Sequence, residues 1–199
     1  MSLFKLSVLI LISNLAFSSF LPDSFKVQLT EKSMKIGAKK AKQVQGSFNY
    51  KYPGQVRYEN EQMTFVSNKT NSWRYVPPFI AGEKGEVYIS KKNRNVIAKL
   101  FDVLRNGLKD NSVYKVKKHG GQNYFLDFTK SGVKEYNIKS VVLSFNSANL
   151  NFSDLSKMSL TYTDGKLVDL FLNSLNSSVN FDDSFFVFKA PANTKTIQQ

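Results

Sequence analysis

Apolar side chains recur at every second residue along nearly the whole of this chain, and at every third or fourth residue in one place only. Phe25, Val27 and Leu29 alternate with Ser24, Lys26 and Gln28. From Gly46, Phe48, Tyr50 and Tyr52 point one way while Ser47, Asn49 and Lys51 point the other. Val56 and Tyr58 then alternate with Arg57 and Glu59. A strand sends successive side chains to opposite faces, so each run reads as a half-buried strand. Further strands are expected at 63–67, 72–76, 86–90, 114–116, 124–128, 136–145, 158–162 and 167–172, with FFVFKAP closing the chain. Pro53-Gly54, NKTN (68–71), HGGQ (119–122) and TDGK (163–166) separate them, and Asp-Gly is a strong hairpin signal. The exception is NVIAKLFDVLRNGL, where Val96, Ile97, Leu100, Phe101, Leu104 and Leu108 are spaced for one face of a helix. Asn95 is its expected N-cap and Gly107 lies near its end. The pattern predicts some ten short antiparallel strands forming one curved or closed sheet, with one helix against its concave face.

The expected inner face is aromatic. The chain has 17 Phe, 9 Tyr and one Trp, many at alternate strand positions. Large rings leave more irregular space than branched aliphatics, so the face reads either as plain core or as the wall of a pocket. Parity puts Trp73 and Tyr75 on one face.

Residues 1–18 have the layout of a cleavable secretory signal: Lys5, an apolar run from Leu6 to Ile12, and Ala16-Phe17-Ser18 before the expected cut. No later segment approaches the ~18 apolar residues that span a bilayer. One exported domain, 19–199, is expected, and with no cysteine it must be held by its core alone. Losing Lys5 lowers the net charge from +13 to +12. An exported basic protein is expected to meet anionic lipid or acidic proteins rather than nucleic acid, though excess lysine also solubilises a sheet and guards its edges.

Catalytic constellations are missing. His119 is the one histidine, in a Gly-Gly turn, and reads as a solvated turn residue. No HExxH, CxxC, P-loop or GxGxxG occurs. Asp182-Asp183 is the paired carboxylate, next to an expected strand start, and reads as a turn rather than general acid–base machinery or a calcium site. Asn68, Asn151 and Asn176 open glycosylation sequons, a pattern common by chance. Neither cofactor nor metal is expected.

The stretch GSFNYKYPGQVRY (46–58) resembles the glycine, strand, Pro-Gly turn and basic-aromatic strand of the LolA family of lipoprotein carriers. Val66-Ser67-Asn68-Lys69 followed by Trp73-Arg74-Tyr75 and Pro77 is similar to that family's next hairpin with its spacing kept. Helix 95–108, the turn Tyr162 to Lys166 and Phe186-Val187-Phe188-Lys189-Ala190-Pro191 fall in family order, so the likeness covers roughly 44–195. Tyr52 stands where the family often has an arginine that ties its lid, and the first family helix is nearly absent. The tail after Pro191 is short and predicts no extra strand.

The resemblance implies a mainly β, unclosed antiparallel barrel with one or more helices lidding an apolar cavity, and no enzyme activity. It implies a monomeric periplasmic chaperone that takes triacylated lipoproteins from an inner-membrane extractor of LolCDE type. Delivery is then to a LolB-type receptor or to the outer membrane itself. Phe48, Tyr50, Tyr52, Val56, Tyr58, Phe65, Trp73, Tyr75, Phe101 and Leu104 are the candidate cavity or lid residues. Alternatives are a related exported domain for another lipid or glycolipid, a LolB-like receptor or sensor, or an enzyme built on the acidic pair.

Overall fold

The computed structural model describes residues 19–91 and 95–199, so the expected signal at 1–18 lies outside the described residues. The chain forms β1 (Ser24–Met34), β2 (Lys42–Lys51), β3 (Gln55–Asn60), β4 (Thr64–Ser67), β5 (Ser72–Val76) and β6 (Gly85–Ser90). Helix α1 (Val96–Leu104) follows, then β7 (Tyr114–Lys118), β8 (Asn123–Phe128), α2 (Lys130–Tyr136) and β9 (Ile138–Phe145). The chain finishes with β10 (Leu155–Tyr162), β11 (Leu167–Asn176) and β12 (Thr194–Gln198). All twelve strands join one sheet in the order β12-β6-β5-β4-β3-β2-β1-β11-β10-β9-β8-β7, which does not close on itself. Every neighbouring pair is antiparallel except β12 and β6.

Strand parity gives the sheet two unlike faces. On the inner face Phe25 and Val27 of β1 lie opposite Tyr50 and Phe48 of β2, which lie opposite Val56 and Tyr58 of β3. Leu126, Ile138, Val141, Leu143, Met158 and Leu160 continue this core across the other half of the sheet, all fully or almost fully buried. Helix α1 lies on it with Ala98, Leu100, Phe101 and Leu104 buried, capped by the Asn95 side chain, which accepts from the Ala98 N–H. Gly107 then turns the chain with φ +88°.

The outer face of β2 to β5 is covered differently. After β11 the chain crosses this face on its way to the far edge, and Phe181 and Phe186 pack there on Val66. The Lys51 ammonium donates to the Phe181 carbonyl at 2.7 Å and pairs with Asp183 at the same distance. Arg57 donates to the Phe185 carbonyl and lies over the Phe185 ring, 5.3 Å from its centroid. This half of the sheet is therefore buried on both sides.

Four expectations need correcting. FFVFKAP is not a strand: Asp183–Phe186 form a 3₁₀ turn, because its phenylalanines pack on a sheet face instead of joining a ladder. The tail after Pro191 does form a strand, β12, which finds the free edge of β6. The segment before Ile138 is helix α2, since the Thr129 hydroxyl accepts from Gly132 N–H and Asn137 ends the turn at φ 56°. The strand count is twelve rather than ten.

Phe186 is fully buried and Phe79 fully exposed. Phe186→Ala is expected to cost about 3–5 kcal/mol of stability in a urea melt, and Phe79→Ala less than about 0.5 kcal/mol. Equal effects would show that the crossing segment is not docked in solution.

Candidate functional site: a groove beneath helix α1

Phe101 is the centre of the contact between helix and sheet. Its ring lies 5.1 Å from that of Phe25, 5.4 Å from Phe48 and 5.7 Å from Tyr50, centroid to centroid. Aromatic pairs at these separations add to the gain from burial alone. Leu104 is fully buried in the same core, as is Val56.

Polar ties hold α1 along its length: Asn95 caps its start, Lys99 pairs with Glu135 at 3.8 Å, and a cluster surrounds its C-terminal end. The Tyr50 hydroxyl donates to the Asp102 carboxylate at 2.5 Å, and the Gly54 N–H donates to the same oxygen at 2.9 Å. Burial, then the Asp102 carboxylate as acceptor, push the Tyr50 hydroxyl well above its ordinary range, so it remains a donor. One turn on, the Arg105 guanidinium lies 4.2 Å from the Tyr52 ring centroid. It also pairs with Asp23 at 2.7 Å and donates to the Pro22 carbonyl at 3.2 Å. The Ser19 hydroxyl donates back to the Arg105 carbonyl. Tyr52, half exposed and just past β2, is thus a stacking partner of Arg105, and it lines a polar depression with Lys99, Asp102 and Glu135 rather than the apolar cleft at the other end of the helix.

At the N-terminal end of α1 the packing is looser. A cleft of about 190 Å³ opens there between Phe48, Tyr58, Phe65, Leu29 and Leu170 of the sheet and Ile97 of the helix. Its size is below the ~300–1,000 Å³ of sites that enclose a drug-sized ligand. A bulky apolar ligand therefore needs α1 to move. Larger depressions exist, one of about 670 Å³ beside Ser19 and Arg105, where Phe20, Leu150 and Phe152 share the lining with Asn106, Lys109 and Asn151, but it does not reach the inner face beneath α1 at Phe48 and Phe65.

The structure brings Phe48, Tyr50, Val56, Tyr58, Phe65, Phe101 and Leu104 together on the inner face or its helix. It does not bring Trp73 and Tyr75 to them. In the β4–β5 ladder Val66 faces Trp73 and Phe65 faces Arg74, so the tryptophan takes the face of Val66, opposite that of Phe65. Trp73 packs against Val66, Phe181 and Phe186, and the Tyr75 ring meets Phe188 at 5.5 Å. Asp102, Arg105, Leu29, Ile97 and Leu170 belong to the site although none was a candidate. Leu29 shares the parity of Phe25 and Val27, and Asp102 is the one carboxylate in the helical run, so both carried a readable signal. Arg105 carried none, because its partners come from separate turns.

No group of three or more His, Asp or Glu side chains suited to a metal ion occurs among the described residues. His119 is exposed in the β7–β8 turn. No helix among the described residues is long and apolar enough to cross a membrane.

An open β half-barrel whose apolar inner face is covered by a short, clasped helix defines a class of binding protein. A family model described as outer membrane lipoprotein carrier protein LolA matches residues 23–189, and the chain belongs to the LolA family. Among solved structures it is similar to a LolA superfamily protein from Nitrosomonas europaea, with 11% identity over 86% of this chain and 93% of that one and a TM-score of 0.45. A DUF1329 family protein from Desulfovibrio piger gives 12% identity over 83% and 90%, with a TM-score of 0.46. The lipoprotein LppX of Mycobacterium tuberculosis gives 12% over 81% and 90%, with a TM-score of 0.40. No curated protein matches the chain.

The clasp makes a measurable prediction. A double-mutant cycle on Tyr50→Phe and Asp102→Ala is expected to return a coupling of about 1.5–3 kcal/mol in urea melts, as for hydrogen bonds to charged groups. Tyr50 keeps its proton when folded but loses it near pH 10 when unfolded, so stability falls as pH rises past that value. Tyr50→Phe should lessen that alkaline fall; an unchanged pH profile would show that the hydroxyl is not held as described.

Proposed function

We propose that this chain is an exported, monomeric carrier that holds the acyl chains of lipoproteins against the inner face of its sheet, beneath helix α1. The observation that carries the reading is an apolar, aromatic sheet face covered by one short helix, with a cleft left between Ile97 of the helix and Phe48, Tyr58 and Phe65 of the sheet. Displacement of this helix uncovers Phe48, Tyr58 and Phe65. Each methylene buried against such a wall contributes ~0.8 kcal/mol, whereas free acyl chains in water gain nothing. Uptake needs no chemistry, only a ligand that binds the open form better than the closed one. Cargo is received in the periplasm from an inner-membrane extractor of LolCDE type and passed to a LolB-type receptor or the outer membrane, with no cofactor.

The acyl-contact residues in this reading are Phe48, Tyr50, Val56, Tyr58, Phe65, Phe101 and Leu104. Trp73 and Tyr75 serve as packing for the outer layer, and Tyr52 as part of the clasp. The acidic pair is structural. Asp183 is held below the usual carboxylate range by its hydrogen bond and ion pair with Lys51, and it fastens the crossing segment.

The direct test incubates purified protein with inner membranes that carry a labelled triacylated lipoprotein and an active extractor. Labelled lipoprotein should appear in the soluble fraction in complex with the carrier, and none recovered would sink the reading. Recovery of a different lipid without lipoprotein would instead favour the related exported lipid- or glycolipid-binding domain.

Weakening the clasp should help loading. Asp102→Ala is expected to raise apparent affinity for a fluorescent acyl probe by about tenfold, because the open form becomes a larger fraction of the free protein. Lower affinity would mean that α1 is part of the binding surface in its present position rather than a lid. Asp182→Ala with Asp183→Ala should leave probe binding within about twofold, and a larger loss would show that the crossing segment must be fastened for the groove to bind.

A further inference from the structure

The apolar cleft does not lie alone. Glu31, Tyr58 and Met63 line both it and a second trough of about 480 Å³ at the tip of the β1–β2 hairpin, so the two adjoin with only these side chains between them. Along the inner face the side chains change character in one step. Leu29, opposite Gly46, gives way to Glu31 opposite Val44 and Ser33 opposite Lys42. The second trough is lined by Lys35, Lys40, Lys42 and Lys166, four cations against the single carboxylate of Glu31. They come from three separate segments: the β1–β2 tip, the start of β2 and the β10–β11 turn. The Lys42 ammonium donates to the Gln62 side chain, and that of Lys166 lies 5.7 Å from the centre of the Tyr162 ring, so two of the four are positioned by neighbours.

An apolar slot that adjoins a cationic basin matches one shape of ligand, an acyl chain with an anionic head. From this juxtaposition we infer that the groove binds anionic phospholipid, with the acyl chain between Phe48, Phe65 and Ile97 and the phosphate among Lys35, Lys42 and Lys166. The proposal rests on the reading of the groove as an acyl site and adds the class of head group that its mouth accepts. Ammonium groups suit a phosphate as point charges without fixed geometry. The same basin placed at a membrane surface also faces a negative potential, which brings the groove's mouth to the source of its lipid.

The experiment measures binding of monomeric lysophosphatidylglycerol and lysophosphatidylcholine of equal chain length to the whole protein by calorimetry. The anionic lipid is expected to bind about tenfold more tightly at low salt, as several partly exposed charge pairs allow. That preference should shrink at about 500 mM salt, where such pairs are screened. A variant with Lys35→Gln, Lys40→Gln, Lys42→Gln and Lys166→Gln should lower the affinity for the anionic lipid to that for the neutral one. Circular dichroism of that variant confirms its fold, and the salt series on the unmodified protein stands as a test that needs no variant. Glycerol 3-phosphate, the head without the chain, should not compete at similar concentration. Equal affinity for the two lipids overturns the head-group proposal and leaves the acyl site standing. Competition by glycerol 3-phosphate overturns it in favour of a plain anion site. Binding by neither lipid overturns both this proposal and the acyl reading.

Discussion

The burial of Phe101 among Phe25, Phe48 and Tyr50 is the contact on which the rest depends. A sheet that does not close leaves its apolar inner face to be covered by something else, and here one nine-residue helix does most of it at the centre. A helix of that length is not stable alone in water. Sheet and helix therefore stabilise each other: α1 exists because the aromatic face receives it, and the face stays dry because α1 lies there. The arrangement is easily reversed, since an acyl chain offers the same face an equivalent apolar partner.

A lid is useful only against a wall that stays in place. The strands under the cleft, β2 to β5, are the ones covered on their outer side by the crossing segment. Phe181, Phe185 and Phe186 stack on one another there with centroids 4.8–5.6 Å apart. Lys51 and Arg57 point outward from β2 and β3 to hold that segment by its carbonyl oxygens. Part of the chain's positive charge is therefore engaged in fastening one layer to another. The remaining half of the sheet, β7 to β11, has its large core on the inner face alone.

Much of this was legible in the sequence because period-two alternation fixes which residues share a strand face, and Phe48, Tyr50, Val56 and Tyr58 follow it. The helix was equally plain, down to its Asn95 cap. What parity within one strand cannot give is the face of the next strand, which depends on the pairing register. Trp73 shows this. The loop 68–71 pairs Ser67 with Ser72, and that register puts Trp73 beside Val66, away from Phe65. The turn itself is held by Asn68, whose side chain accepts from the N–H groups of Thr70 and Asn71, with no residue of 68–71 at positive φ. Strand β12 was hidden for a different reason: a short polar segment becomes a strand only because β6 offers it an edge. The Arg105 contacts were hidden because residues from three separate turns meet at one point.

The clasp also explains how Tyr52 can stand where related sequences often place an arginine. The guanidinium is still present, but the helix supplies it, and the sheet returns an aromatic ring and the carboxylate of Asp23. A stacked cation at a partly exposed ring contributes about 0.5–1 kcal/mol, and a hydrogen bond to a charged group about 1.5–3 kcal/mol. Together they hold α1 with roughly 2–4 kcal/mol beyond its apolar contacts. At ~0.8 kcal/mol for each buried methylene, three to five methylenes of cargo are enough to offset that hold. A single acyl chain exceeds this several times over, so the clasp cannot prevent loading. On the carrier reading proposed above, its effect is to keep the empty protein closed, with Phe48, Tyr58 and Phe65 covered until a ligand of sufficient length arrives.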